Sequence, residues 1–172
     1  WYKNRKGVLD AFSLFRKRFG KPMQLVLVGP PLNKEQSSFA IREGFIDDVI
    51  VVESSSTEVL RALYSNALAL VFPSLYEGFG WPPLEAQACG CPVVASPRGS
   101  LSEILGDSGI LIDPEKKEAY ADALMELAND ALFRQREIEK GHANSKRFDT
   151  REMVEIYLST YQKVLERTVR NP

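Results

Sequence analysis

Glu77 and Glu85 stand eight residues apart in the stretch Pro73 to Cys91, PSLYEGFGWPPLEAQACGC, separated by a Gly-Phe-Gly turn and a Pro-Pro pair. A carboxylate accepts two hydrogen bonds at once, which suits Glu85 to the paired hydroxyls of a ribose and Glu77 to a sugar hydroxyl. Gly78 and Gly80 allow backbone angles closed to other residues and let a ligand approach the main chain. Pro82 and Pro83 open a helix, since proline in a first turn forfeits no hydrogen bond. That helix is expected to aim free N–H groups, and the positive end of its dipole, at the turn. The chemistry implied is capture of a phosphorylated nucleotide or sugar without a P-loop. A glycosidase pair is the competing chemistry, but it needs one carboxylic acid of raised pKa at a separation of roughly 5 to 9.5 Å. A glycine turn facing a helix dipole works against that protonated form.

The flanking elements must place this segment at a binding edge. Val8, Phe12 and Phe15 follow helical spacing up to Gly20, and LVLV at Leu25 to Val28 is a short apolar run closed by Gly29. A run without alternation predicts a strand buried on both faces of a parallel sheet. The unit then repeats: a helix over 34–42, a strand over 49–52, a helix over 58–66 with a Ser55/Glu58 capping box, and a strand over 68–72. A helix over 82–89, a strand over 93–95, a short helix over 101–105 and a strand over 110–112 complete it. From Glu115 onward the pattern is helical only. Tyr120, Leu124 and Leu127 mark one face, and Val154, Tyr157, Leu158, Tyr161 and Leu165 mark another, read as core; Asp149 and Glu152 form a capping box for that last helix. Such alternation defines an α/β fold: a Rossmann-like open parallel sheet with helices on both faces and a C-terminal helical extension. Ligands of these sheets bind at the carboxyl ends of strands, where Pro73 to Cys91 begins.

Composition agrees with one ordinary globular domain. The 172 residues are 44% hydrophobic and 26% charged, and no apolar run approaches the roughly 20 residues of a membrane span. The net charge of −1 conceals a gradient. Residues 1–22 carry an excess of Lys and Arg, centred on Arg16, Lys17, Arg18 and Lys21, while residues 23–114 are acidic. The basic cluster follows an apolar helical face and reads as a solvated helix end, so no nucleic acid partner is expected. Cys89 and Cys91 are too close to staple a fold and read as small packing residues; a reduced, cytoplasmic setting follows. His142, in a polar helical stretch, reads as a surface residue, and no metal site is expected.

The run PSLYEGFGWPPLEAQACGCPVVAS resembles the donor-binding signature of the retaining glycosyltransferases of family 4, which have the two-domain GT-B fold. The similarity continues through RKGVLDAFSLF, LVLVGP, EVLRALYSNALALVFPS and SLSEILGDSGILIDP. It implies that Glu77 is the catalytic residue, engaging the donor sugar, and that Glu85 holds the nucleotide ribose. Gly78, Phe79, Gly80 and Leu84 would offer backbone N–H groups to the sugar and diphosphate. Lys6 would neutralise the leaving diphosphate, Gly29 would line the donor site, and Ser54 would stand where the main chain reads the base. The implied substrate is a GDP- or UDP-sugar, with GDP-mannose expected by similarity to bacterial polysaccharide mannosyltransferases, and no cofactor. The implied partners are a glycan or lipid-linked acceptor and the protein's own N-terminal domain, with peripheral association at the inner membrane face. The sequence departs from the family pattern near Trp1: the first strand, the arginine that precedes the lysine, and the acceptor half with its histidine have no counterpart in residues 1–172. The expectation is one half of a GT-B fold, with transfer dependent on the other half; the alternative is a nucleotide-sugar binding module with no activity of its own.

Overall fold

The computed structural model describes residues 2–170, with side chains described through Glu166. Helix α1 (Arg5–Phe19) is capped at its start by the Asn4 side chain, which accepts from Gly7 N–H, and stops at Gly20 in the left-handed conformation. Strand β1 (Leu25–Val28) leads through a loop to α2 (Lys34–Arg42), opened by a reciprocal Asn33/Gln36 capping box. Strand β2 (Val49–Val52) is followed by α3 (Thr57–Asn66), β3 (Leu70–Phe72), α4 (Trp81–Ala88), β4 (Val93–Ala95), α5 (Leu101–Leu105) and β5 (Ile110–Leu111). Three helices complete the chain: α6 (Lys117–Asn129), α7 (Ala131–Ser145) and α8 (Thr150–Arg170).

All strand pairing is parallel. Strand β1 pairs β2 with Leu25 opposite Val49, and β3, β4 and β5 form a second sheet in that order with Leu70 opposite Val93 and Val94 opposite Ile110. Among the described residues no ladder joins β1 to β3. One core nevertheless spans both sheets. Leu9, Phe12 and Phe15 of α1, Leu27 of β1 and Leu124 of α6 pack together, and Val71 of β3 lies against them. Strand β4 shows the alternation that covers a sheet on both sides. Val93 and Ala95 face Ala86, Leu101 and Leu105, while Val94 faces Ala11, Tyr120 and Leu127.

Several expectations need correction. Strand β1 is not buried on both faces: Leu27 is 7% exposed, but Val26 and Val28 are 37% and 47% exposed. Those valines and Ile50, opposite Val26 in β2, share the open face of this two-stranded sheet. The cap of α3 is Ser56, whose hydroxyl accepts from Val59 N–H, one residue later than the expected Ser55. Strand β3 starts at Leu70 rather than Leu68, since Ala67 N–H still bonds back to Tyr64 O. Helix α4 begins at Trp81 and ends at Ala88, one residue earlier than expected at each end. Ile112 lies outside β5, although its N–H still donates to Ala95 O. Asp149 caps α8 by accepting from Arg151 N–H, with no return bond from Glu152. The Tyr157, Tyr161 and Leu165 stripe of α8 is exposed and not core. By contrast Tyr120, Leu124 and Leu127 of α6 are buried as the pattern predicts, as is Cys91.

Candidate functional site

Strand β3 delivers the chain to its carboxyl end at Pro73 and Ser74, both buried, and the next six residues form the turn that leads into α4. Gly80 is the residue before α4 and takes φ 108°, ψ 47°, a conformation that side-chain-bearing residues avoid. Gly78 adopts no positive φ, so only one of the two glycines is needed for its backbone angle. The amides of Gly78, Phe79, Gly80 and Trp81 have no hydrogen-bond partner among the described residues. Consecutive unpaired N–H groups ahead of a helix start make an anion-binding concavity.

The helix contributes less to this than the sequence suggested. Pro82 and Pro83 carry no N–H, and Leu84 N–H is directed at Gly80 O at 3.4 Å. The free donors therefore come from the turn and from Trp81, and Leu84, expected to offer its amide, has it engaged. The same prolines that open the helix remove two donors from its first turn.

The two glutamates differ in setting. Glu77 is half-buried, and its Oε2 is buried with no hydrogen-bond partner. A buried carboxylate oxygen left unpaired is costly, and it marks a place where a ligand hydroxyl would fit. Glu85 lies on the exposed side of α4 next to α3. Tyr64 of α3 feels it: burial, then the Glu85 charge, push the phenol up to about 12. Phe79 lies against Trp81 with ring centroids 4.7 Å apart and planes tilted by 40°, and meets Phe148 edge-on at 6.0 Å. Trp81 remains 57% exposed at the rim.

The basic Arg5–Lys6 pair splits at the start of α1. Lys6 Nζ pairs with Asp10 at 2.7 Å and lies over the Phe39 ring, in a hollow of about 250 Å³ that Asn33, Gln36 and Arg42 also line. Among the described residues no hydrogen bond or ion pair joins it to the Glu77 turn. Arg5, absent from the sequence-based set, turns instead to the loop after β1, where its guanidinium donates to Pro30 O at 2.6 Å and Pro31 O at 3.2 Å. That places Arg5 beside Gly29, whose φ is 123° and whose N–H donates to Val52 O at 2.9 Å. The same bond ties the ends of β1 and β2 together, with Ser54 exposed just beyond. Adjacency to Lys6 was the available signal for Arg5, but sequence alone does not say which cation turns which way.

Gly99 and Ser100 were also missed. Ser100 N–H donates to Glu77 O at 3.2 Å and its hydroxyl donates to Phe79 O at 2.7 Å. Nothing in SPRGSLSE marks these residues as neighbours of a turn some twenty positions away.

Parallel sheets flanked by helices, with this turn at the carboxyl end of a strand, define the class of GT-B glycosyltransferase carboxyl-terminal domains. A crystal structure of the C-terminal domain of a glycosyl transferase group 1 family protein from Francisella tularensis superposes with a TM-score of 0.75 at 24% identity, covering 86% of this chain and 80% of that one. A second, from Anabaena in complex with UDP and glucose, gives 0.81 at 23% identity over 94% of this chain and 45% of that one. The chain belongs to the glycosyl transferases group 1 family, whose match runs over residues 1–144. Among curated relatives, O-antigen chain mannosyltransferase B of Escherichia coli is 34% identical over 85% of this chain and 39% of its own length. O-antigen chain mannosyltransferase RfbU of Salmonella typhimurium is 37% identical over 77% of this chain and 35% of its own length. The chain thus spans under two fifths of these relatives. Among the described residues no helix is long and apolar enough to cross a membrane.

Proposed function

We propose that this chain is the donor-binding half of a retaining glycosyltransferase of family 4, which transfers a hexosyl group from a nucleotide diphosphate sugar to a glycan or lipid-linked acceptor. The observation that carries the reading is the run of unpaired amides at Gly78, Phe79, Gly80 and Trp81 between a half-buried Glu77 and an exposed Glu85. In this assignment the amides hold the diphosphate, Glu85 the ribose, and the unpartnered Glu77 Oε2 a hydroxyl of the sugar. Gly29 and Ser54, at neighbouring strand ends, border the nucleotide. Lys6, whose side chain is the exposed member of its pair with Asp10, reaches the diphosphate by leaving that carboxylate.

The reaction breaks the bond between the anomeric carbon and the diphosphate and joins that carbon to the acceptor oxygen with retention. Charge grows on the leaving phosphate oxygen, so preorganised N–H donors and a cation there lower the barrier most. The protein's own groups supply that field, and the proposal assigns no metal or cofactor. Similarity to the O-antigen mannosyltransferases supports a mannosyl group as the one transferred, and GDP-mannose is the donor assigned here.

The open line between β1 and β3 supports a further part of the reading. Leu75 N–H donates to Tyr2 O at 2.7 Å, which brings the start of α1 to the carboxyl end of β3 beside that gap. A parallel strand of the same protein inserted there would join the two sheets. An acceptor-binding N-terminal domain would face the site and, with a lipid-linked acceptor, would work at the inner face of the membrane. On this reading the 172 residues bind donor nucleotide but do not transfer sugar by themselves.

Calorimetric titration of the chain with GDP, UDP and ADP tests the donor site. Binding of at least one is expected, weakened roughly tenfold or more by Glu85→Ala, a loss of ~1.4 kcal/mol or above. If none of the three binds, or Glu85→Ala binds as the parent does, the assignment is wrong.

A further inference from the structure

Ser100 precedes α5 at the N-cap position, where a serine hydroxyl ordinarily accepts from an amide of the first helical turn. Here it makes no cap bond. The hydroxyl instead points across to the β3–α4 turn, 2.7 Å from Phe79 O and 3.2 Å from Glu77 O, while Ser100 N–H donates to Glu77 O at 3.2 Å. Its neighbours reinforce the contact. A Cβ at Gly99 would fall 2.3 Å from Glu77 O, and one at Gly80 would fall 2.8 Å from Leu101 Cδ2. Gly99, Ser100 and Leu101 thus meet Glu77, Phe79 and Gly80 in register. The Glu77 carboxylate has a buried oxygen with no partner, so that oxygen has no side-chain bond to aim it. What the backbone of its turn sets is where the Glu77 side chain starts, and so what its carboxylate can reach.

We infer that Ser100 is a positioning residue: its hydroxyl, taken from the cap of α5, holds the Glu77–Phe79 backbone so that the Glu77 carboxylate faces the donor sugar. The inference rests on the donor-site reading above, and its ligand is the sugar portion of a nucleotide sugar.

The test compares the chain with Ser100→Ala and Ser100→Thr, the latter keeping a hydroxyl. In the first arm, amide resonances of Gly78–Trp81 and the Glu77 carboxyl ¹³C signal are recorded without ligand. Ser100→Ala is expected to shift them and Ser100→Thr to restore them. In the second arm GDP and GDP-mannose, and UDP and UDP-glucose, are titrated calorimetrically. Ser100→Ala is expected to weaken the nucleotide sugar about tenfold while leaving the nucleoside diphosphate within twofold, with recovery in Ser100→Thr. Unmoved resonances overturn the inference, as does an equal loss of sugar nucleotide and diphosphate, which would mark a merely structural role. Unchanged sugar-nucleotide affinity overturns it too. Failure of every nucleotide to bind the parent chain removes the donor-site reading and with it the assignment of Ser100 to a sugar, whatever the resonances show.

Discussion

Asn144 Nδ2 donates to Gln87 Oε1 at 2.8 Å, joining α7 to the helix that carries Glu85. Both side chains are almost wholly buried, and the bond is one link of a chain. Gln87 Nε2 donates to Ser108 O and lies 2.9 Å from Ser108 Oγ, and Asn144 Nδ2 also reaches Ile104 O. Two separate segments, α7 through Asn144 and the chain at Ser108, therefore fix the rotation of α4, and with it the side on which Glu85 emerges. Replacing Gln87 by Ala leaves one Asn144 N–H and the Ser108 carbonyl without their partner in a dry interior, at about 2–3 kcal/mol. Urea unfolding of Gln87→Ala measures it, and a loss below ~0.5 kcal/mol would show that the network does not hold α4 in place.

Gly99→Ala and Gly44→Ala separate two costs of a left-handed glycine. Both positions have positive φ, +61° and +73°, but a Cβ at Gly44 meets nothing within 4 Å while one at Gly99 meets the Glu77 carbonyl at 2.3 Å. Gly44→Ala should cost only the backbone penalty, about 1 kcal/mol. Gly99→Ala adds displacement of main chain against main chain and should cost about 2–4 kcal/mol in all. Thermal melts of the two variants give the comparison, and equal losses would mean that the β4–α5 loop moves freely from the turn.

Much of this architecture was legible because short-range physics sets it. The bounds of α2, β1, β2, β4 and α5 follow from apolar period, glycine stops and cap residues, all of which act within a few positions. The Glu77–Glu85 segment was legible for the same reason: its glycines, prolines and acids are contiguous. What failed to be read was always a statement about the far side of a contact. Val26 and Val28 look like any buried strand residue, but burial depends on what covers them, and their face of the sheet is open. The resemblance implied an available amide at Leu84, but that N–H is directed at Gly80 O at 3.4 Å. Ser100, before α5, turns its hydroxyl to Phe79 O, a contact that no local spacing announces.

High pH should loosen the fold. Burial pushes the Cys91 thiol from its ordinary value of 9.0 up to about 12, and Tyr64 and Tyr120 are raised also, chiefly by burial. Each group is neutral when protonated, and its folded pKa lies above its unfolded one. The unfolded chain therefore gives up protons first, and the stability present below about pH 9 falls as pH rises toward 12. Denaturation midpoints between pH 8 and about 11.5 should decline, less steeply in Cys91→Ala. The same burial predicts that iodoacetamide at pH 8.5 leaves Cys91 unmodified in the native chain and alkylates it in denaturant. A flat midpoint over that range would contradict the burial of these groups.

Helices α6 and α8 carry the same signal in sequence, an apolar stripe at helical spacing, and should answer mutation in opposite ways. Leu124 of α6 packs among Leu9, Phe12, Phe15 and Leu27, so Leu124→Ala opens a cavity between α1 and β1 and should cost about 2–5 kcal/mol. Leu158 and Tyr161 of α8 are 56% and 62% exposed, and Tyr161 touches Tyr157 of its own helix with ring centroids 6.4 Å apart. Little apolar area would be returned to water by truncating them, so Leu158→Ser and Tyr161→Ser should each change stability by less than ~0.5 kcal/mol. Urea denaturation of the three variants decides the matter. A loss of 2 kcal/mol or more from either α8 substitution would mean that the stripe is packed in solution, against this chain or a second copy of it, and a protein-concentration dependence of the midpoint would tell the two apart.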